Sequence, residues 1–226
     1  FKQKTAYEIM PSLVGSEMCI RDRCDSVCAH FHLPLQSGSD AVLLHMRRPY
    51  TAADFVRLVE RLRKIHTKPA ITTDIIVGYP TETDADFEKT LSLVENVGFC
   101  RVHIFPYSAR PRTPASELAP LPSGLVKERF EVLKRVSDAA AAAYRRSLVG
   151  LYESFIPERG GLGMLERYVR ARFLGRKASR FEQVCVVGVD DSNGVVSVVA
   201  SEYTNSSHHR SYSSYTLLDR RMSGKE

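Results

Sequence analysis

Along residues 70–83, AITTDIIVGYPTET, the residues Asp74, Ile76 and Gly78 alternate. In an extended strand they therefore share one face and approach its carboxyl end. The run is β-branched and apolar, is fed by one helical pattern and leaves into another, as an inner strand of a parallel α/β sheet covered on both faces does. Chemistry in such sheets gathers at the carboxyl ends of the strands. A carboxylate inside an apolar strand is costly to bury unpaired. Asp74 thus needs a partner, either a ligand hydroxyl or a neighbouring backbone group or Arg, and Gly78-Tyr79-Pro80 turns the chain beyond it.

A second polar strand end lies upstream. Residues 27–35 read as a strand that closes in Gln36-Ser37-Gly38-Ser39, the turn-rich kind of ending that carries function in a parallel sheet. Ser39 is placed as N-cap of a short helix over 40–46. His30 and His32 alternate on one face of this strand and read as hydrogen-bonded core residues. Arg47-Arg48-Pro49-Tyr50 closes the short helix.

The elements that must hold these strand ends follow a repeated grammar. Thr51-Ala52-Ala53-Asp54 and Thr83-Asp84-Ala85-Asp86 are both Thr-x-x-acid helix starts. The first opens a stripe of Phe55, Leu58, Val59, Leu62 and Ile65; the second one of Phe87, Leu91 and Val94 stopped by Gly98. Residues 99–107, FCRVHIFPY, form the next strand, with Cys100 and His103 as core or strand-surface residues and an Arg- and Pro-rich loop after it. A long helix opens at Ser123. Strand, helix, strand, helix, strand, helix is a stretch of (β/α) barrel or open parallel sheet.

Composition bounds the rest. With 226 residues, 43% of them hydrophobic, the chain can bury one good core and a smaller second one. No apolar run approaches a membrane span, so no membrane partner is expected. Five scattered cysteines without a framework spacing argue for a reducing compartment, hence the cytoplasm. Cys19, Cys24 and Cys28 have gaps that suit no short metal loop, and no residue is assigned a metal-ligating or catalytic role. Of the net charge of +6, five units fall within residues 144–182, where nine Arg and Lys meet four Glu. Either a polyanion partner or a solvated basic face accounts for them.

Texture changes at Gly150. Residues 151–157, 167–174, 183–189 and 194–200 read as four short strands, the last two joined by Asp190-Asp191-Ser192-Asn193. Arg167, Arg170 and Arg172 punctuate the second, so the unit is either a small barrel lying along RNA phosphates or a minor domain. Cys185 is core. The Ser-rich residues 201–226 are expected to be a disordered tail. At the other end, residues 5–23 resemble a translated sequencing adapter, and 1–23 are excluded from the fold as a non-native segment.

The ordered blocks HLPLQSGSD, Met46-x-Arg48-x-Tyr50-Thr51, TTDIIVGYPTET and VHIFPYSARPRTPA resemble the second half of the radical S-adenosylmethionine methylthiotransferases. The HIFPY wording is most similar to the branch acting on tRNA N6-threonylcarbamoyladenosine beside the anticodon. The resemblance implies the C-terminal half of a partial (β/α)6 barrel over 24–149 and a small TRAM-like β-barrel over 150–200. It implies S-adenosylmethionine and two 4Fe–4S clusters as cofactors, tRNA as partner, and sulfur insertion plus methyl transfer at C2 of the modified adenosine. Reductive cleavage of the cofactor gives a 5′-deoxyadenosyl radical in this family.

By that resemblance Gln36 and Arg48 contact S-adenosylmethionine, Arg48 pairing with its carboxylate through a two-pronged guanidinium. Asp74 accepts from the ribose hydroxyls and the Ile76 backbone faces the adenine, with Ser37 and Ser39 as further contacts. Thr81 and Arg112 stand where the family has glycine, which puts the loop angles there in question. The family's C-x-x-x-C-x-x-C loop and sulfur-donating domain are absent, so the expectation is a fragment whose N-terminal portion is missing and which is inactive alone. Two other branches, acting on isopentenyladenosine tRNA or on a ribosomal protein, remain open. So do a non-enzymatic RNA-binding protein and an unrelated (β/α) enzyme with Asp74 as general base.

Overall fold

The computed structural model describes residues 28–111, 113–175 and 182–200. The expectations for residues 1–23, for Cys24, for Arg112 and for the tail from Ser201 fall outside that range. The chain divides into two compact units, one through Tyr144 and one from Arg145.

The first unit holds a parallel three-stranded sheet in the order β1 (His30–His32), β2 (Ala70–Val77), β3 (Arg101–Pro106). The helices α1 (Asp40–His45), α2 (Ala52–Ile65), α3 (Asp84–Val97) and α4 (Ser123–Ser147) intervene or follow. Pleating divides β2 by parity. Ile71, Ile75 and Val77 face a core shared with Phe55, Val59 and Leu62 of α2, Phe87, Val94 and Val97 of α3, and Leu133 of α4. Thr72, Asp74 and Ile76 face the other way.

That second face departs from the expectation of a strand covered on both sides. Among the described residues, His32 on β1 and Phe105 on β3 are exposed there, and Asp74 and His103 are half-buried. His32 is accordingly not a core residue. Register explains the grouping, since Asp74 lies opposite His103, and His32 opposite Thr72.

Both anticipated helix starts form complete capping boxes. Thr51 Oγ1 accepts from Asp54 N at 3.1 Å while Thr51 N donates back to Asp54 Oδ2 at 2.9 Å, and Thr83 with Asp86 does the same. Gly98 ends α3 at φ +61°. Ser39 occupies the N-cap of α1, but its hydroxyl makes no cap bond and turns to Asp86 instead.

Asp86 is therefore shared between two jobs. Its buried carboxylate accepts from Ser39 Oγ at 2.6 Å, from Thr83 Oγ1 at 2.7 Å and from Lys89 Nζ at 3.2 Å. These hydroxyl donors, Ser39 first, hold the carboxyl well below the usual carboxylate range. A carboxyl depressed in the folded state contributes stability that is present above its unfolded pKa, about 3.9, and is lost as pH falls. Urea midpoints should thus drop on acidification from about pH 4 downward, and Asp86→Asn should flatten that drop. An unchanged pH dependence in Asp86→Asn would show that the carboxylate is not linked to folding.

The second unit is a closed barrel of five strands, not four: β4 (Tyr152–Pro157), β5 (Leu162–Leu165), β6 (Arg170–Phe173), β8 (Val195–Ala200) and β7 (Glu182–Asp190), in that spatial order. The strand missed in sequence, LGML, was hidden by its glycine. A Cβ on Gly163 would lie 2.3 Å from Ile156 O and 2.5 Å from the Phe155 ring, so the glycine lets two strands close over a large aromatic. Phe155 stacks on Phe173 at 5.7 Å, and Val184, Val186, Val196 and Val198 fill the interior. Cys185 is buried as anticipated, and burial pushes its thiol up. The turn at 190–193 is built by Asp190, which accepts from Ser192 and Asn193.

Candidate functional site

Three loops meet at the carboxyl ends of β1, β2 and β3. The first is Gln36-Ser37-Gly38-Ser39. Gln36 bridges to β2, donating from N to Asp74 O at 2.8 Å and accepting from Ile76 N at 2.9 Å. It does so at φ +73°, a left-handed angle that a residue other than glycine keeps only when its surroundings impose it. Docking on α3 supplies the constraint. Gly38 N donates to Thr90 Oγ1 at 3.0 Å, and a Cβ on Gly38 would lie 2.6 Å from Thr90 Cα.

Ser37 and Ser39 are fully buried in this docking. Ser37 Oγ accepts from Ser39 N at 3.2 Å, and Ser39 Oγ is spent on Asp86. Neither serine lines the cavity described below, so their visible work is to hold Gln36.

The second loop carries Arg48. Arg47 takes φ +55°, Arg48 N donates to Leu43 O at 2.9 Å, and Tyr50 Oη donates to Pro34 O and Leu35 O. Tyr79 Oη reaches His45 O at 3.3 Å from the far side. Two tyrosines thus fix where the Arg47-Arg48 turn sits.

The third loop is GYPTET. Gly78 takes φ +76° with Val126 packed where a Cβ would stand. Its N–H donates to Glu82 Oε2 at 2.9 Å, and Glu82 is buried against Arg129 at 2.7 Å. Arg129 also reaches Asp84 at 2.6 Å and lies over the Phe87 ring. Burial pushes the Glu82 carboxyl up, opposed by the Gly78 N–H and by the guanidinium. Thr81, at the family's glycine position, does not adopt a left-handed angle, so its side chain is accommodated.

Together with the end of β3 and the segment after it, these loops line a cavity of about 570 Å³. Gln36, Arg48, Asp74 and Ile76 all line it, with Tyr79, Phe105, Tyr107, Arg110 and Thr113. Its size and its mix of apolar walls with a few convergent polar groups suit a nucleoside-sized ligand. Tyr107 packs edge-on to Tyr79 at 5.4 Å, and its buried hydroxyl has no hydrogen-bond partner among the described residues. Burial and the neighbouring phenol push Tyr79 up, so it stays a neutral donor. Asp74 Oδ2 pairs with His32 Nε2 at 3.2 Å rather than with an arginine.

The tyrosines and Arg110 were not singled out in sequence. Their position was the available signal: Tyr79 and Tyr107 each stand one or two residues past a strand's carboxyl end. In the barrel, Arg170 and Arg172 are exposed, with Arg170 3.9 Å from Glu158. Arg167 lies in the turn before β6, buried and ion-paired with Glu153, and so is not on that exposed face.

An iron–sulfur cluster needs converging thiolates. Among the described residues no three cysteines come together; Cys28 is exposed, Cys100 half-buried and Cys185 buried in the other unit. These residues do not form a cluster site. Nor is any described helix long and apolar enough to cross a membrane.

The sequence model of the Radical SAM superfamily matches residues 17–94. The threonylcarbamoyladenosine tRNA methylthiotransferase MtaB of Thermotoga maritima is 45% identical over 177 residues, 76% of this chain and 41% of that protein. A tRNA-2-methylthio-N(6)-dimethylallyladenosine synthase of Mycobacterium marinum is 42% identical over 132 residues, 58% of this chain and 25% of that protein. Its counterpart in Salinispora arenicola is 47% identical over 126 residues, 55% of this chain and 25% of that protein. The chain spans about two fifths or less of the curated relatives it matches. The superfamily match takes in all three loops of the cavity and most of α3, and over the shares given the chain is similar to tRNA methylthiotransferases of the radical SAM kind.

Proposed function

We propose that this chain is part of a cytoplasmic tRNA methylthiotransferase acting on N6-threonylcarbamoyladenosine, and that its cavity holds S-adenosylmethionine. The observation that carries the cofactor reading is the meeting of Gln36, Arg48, Asp74 and Ile76, drawn from two separate loops and the strand β2, around one hollow. Bound there, the cofactor supplies a methyl group and radical chemistry.

What the chain's own residues do follows from their chemistry. Arg48 holds a carboxylate by two parallel bonds. Asp74, acceptor-only when ionised, takes donors from a ribose diol. Gln36 offers both a donor and acceptor, and the Tyr107 hydroxyl gains the partner it otherwise lacks. Tyr79 and Ile76 supply apolar wall. The fold context of this reading is half of a (β/α)6 barrel, whose missing strands would cover the open face of β1–β3, and a TRAM-like barrel that presents Arg170 and Arg172 to RNA phosphates.

The length of the match to the Thermotoga maritima enzyme and the HIFPY wording favour the threonylcarbamoyl substrate. The identities of 42–47% with dimethylallyladenosine synthases keep that substrate as the second reading. Disrupting the gene and analysing tRNA nucleosides by mass spectrometry decides between them. Loss of the methylthio form of N6-threonylcarbamoyladenosine is expected; loss of the dimethylallyl form instead establishes the second reading, and loss of neither sinks both. Complementation with Arg48→Ala in the intact gene should leave the unmethylthiolated nucleoside accumulated, with S-adenosylhomocysteine affinity reduced about tenfold or more.

A further inference from the structure

On the open face of the sheet, three adjacent strands each contribute one side chain to a single spot. His32 from β1, Asp74 from β2 and His103 from β3 place one ligating atom apiece within 4.8 Å of one another. We propose that these three residues form a binding site for a borderline divalent metal ion of the zinc, cobalt or nickel type. Two imidazoles and a carboxylate are a donor set for such ions, with positions left over for water or a further ligand.

The geometry fits on one edge already. Tetrahedral ligation with bonds of about 2.0–2.1 Å sets neighbouring donors about 3.3 Å apart, and His32 Nε2 stands 3.2 Å from Asp74 Oδ2. The His103 ring meets His32 edge-on with centroids 5.9 Å apart, so a turn of this half-buried side chain brings its nitrogen in. No backbone movement is required, because register already puts His103 opposite Asp74.

A second shell is also present. His32 Nδ1 lies 3.0 Å from Thr72 Oγ1, on the same face of β2. Ligation through Nε2 requires the proton to sit on Nδ1, and the Thr72 hydroxyl can accept it there. The same hydroxyl is 3.4 Å from His30 Nε2 and 3.5 Å from Phe31 O, so its own proton has an alternative acceptor.

The metal site does not depend on the cofactor reading, although Asp74 is common to both. Cobalt is the probe: Co²⁺ is titrated into the purified 226-residue chain and followed by visible absorption and calorimetry. One equivalent with the ligand-field bands of nitrogen and oxygen ligation is expected. His32→Ala and His103→Ala should each weaken it at least tenfold, and Thr72→Val about tenfold. His32 is exposed, His103 half-buried and Thr72 buried, and unchanged circular dichroism checks that the fold survives. Arg48→Ala should leave cobalt affinity unchanged while weakening S-adenosylhomocysteine, so failure of one reading is distinguishable from failure of the other. Absence of stoichiometric binding, binding indifferent to His103→Ala, or a thiolate-to-cobalt charge-transfer band would overturn the proposal.

Discussion

Arg129→Ala is expected to destabilise the first unit by about 3–5 kcal/mol, the usual consequence of stripping one partner from a buried ion pair. Glu82 is almost wholly enclosed, and Arg129 bonds both its carboxylate and its backbone oxygen. Without the guanidinium, Glu82 keeps only the Gly78 N–H at 2.9 Å. Burial already pushes this carboxyl up, so in the variant the folded pKa rises further above its unfolded value. A carboxyl raised in the folded state costs stability once pH exceeds the unfolded value, and the cost grows until pH passes the folded one. Arg129→Ala should accordingly be less damaging near pH 5 than at pH 7, and Glu82→Gln added to it should recover part of the loss. Urea unfolding followed by circular dichroism at the two pH values measures this. A loss under about 1 kcal/mol at pH 7 would mean that the pair is solvated in solution.

The same pair explains why GYPTET is more than a turn. Glu82 fixes the Gly78 N–H, Gly78 lets Val126 of α4 pack against the strand end, and Tyr79 reaches back to the loop that carries Arg48. Sequence thus builds a scaffold in which three loops share their anchors. Loosening Glu82 should reach Arg48 through Tyr79, although no atom of Glu82 lines the cavity.

How much of this was readable beforehand depends on whether a residue acts locally. The capping boxes at Thr51 and Thr83, the stop at Gly98 and the alternation in 70–77 are short-range physics, and each appears where spacing placed it. Gln36, Arg48, Asp74 and Ile76 were nominated by resemblance, and the structure sets them around one cavity. Partners far apart in sequence were not legible. Ser39 carried an N-cap signature, yet a carboxylate 47 positions away took its hydroxyl. Arg167 looked like one more charge on a basic strand, because nothing near it announces that Glu153 waits inside the barrel. His32 looked like a core residue, and His103 like a core or strand-surface one, for the same reason: their shared face is defined by register between strands, which sequence alone does not give.

The barrel offers the sharper test of buried charge. Glu153 is wholly enclosed on β4, and Arg167 in the turn before β6 is its ion-pair partner. Glu166 lies 3.4 Å from the same guanidinium but is partly exposed. Glu153→Ala should therefore cost about 3–5 kcal/mol, since it takes the enclosed carboxylate away from a buried guanidinium. Replacing both partners by apolar residues of similar length, Glu153→Leu with Arg167→Met, removes the desolvation cost along with the attraction and should be neutral or stabilising by about 1–4 kcal/mol. Thermal and urea unfolding of the intact chain, with the single and double variants compared, gives the coupling directly. Additive losses in the double variant would refute the ion-pair account and assign Arg167 a role of its own, such as the phosphate contact its sequence position suggested. If the double variant is stable and still binds tRNA with an unchanged salt dependence, Arg167 works for the fold, and the RNA-facing charge belongs to residues such as Arg170 and Arg172 that stand in solvent.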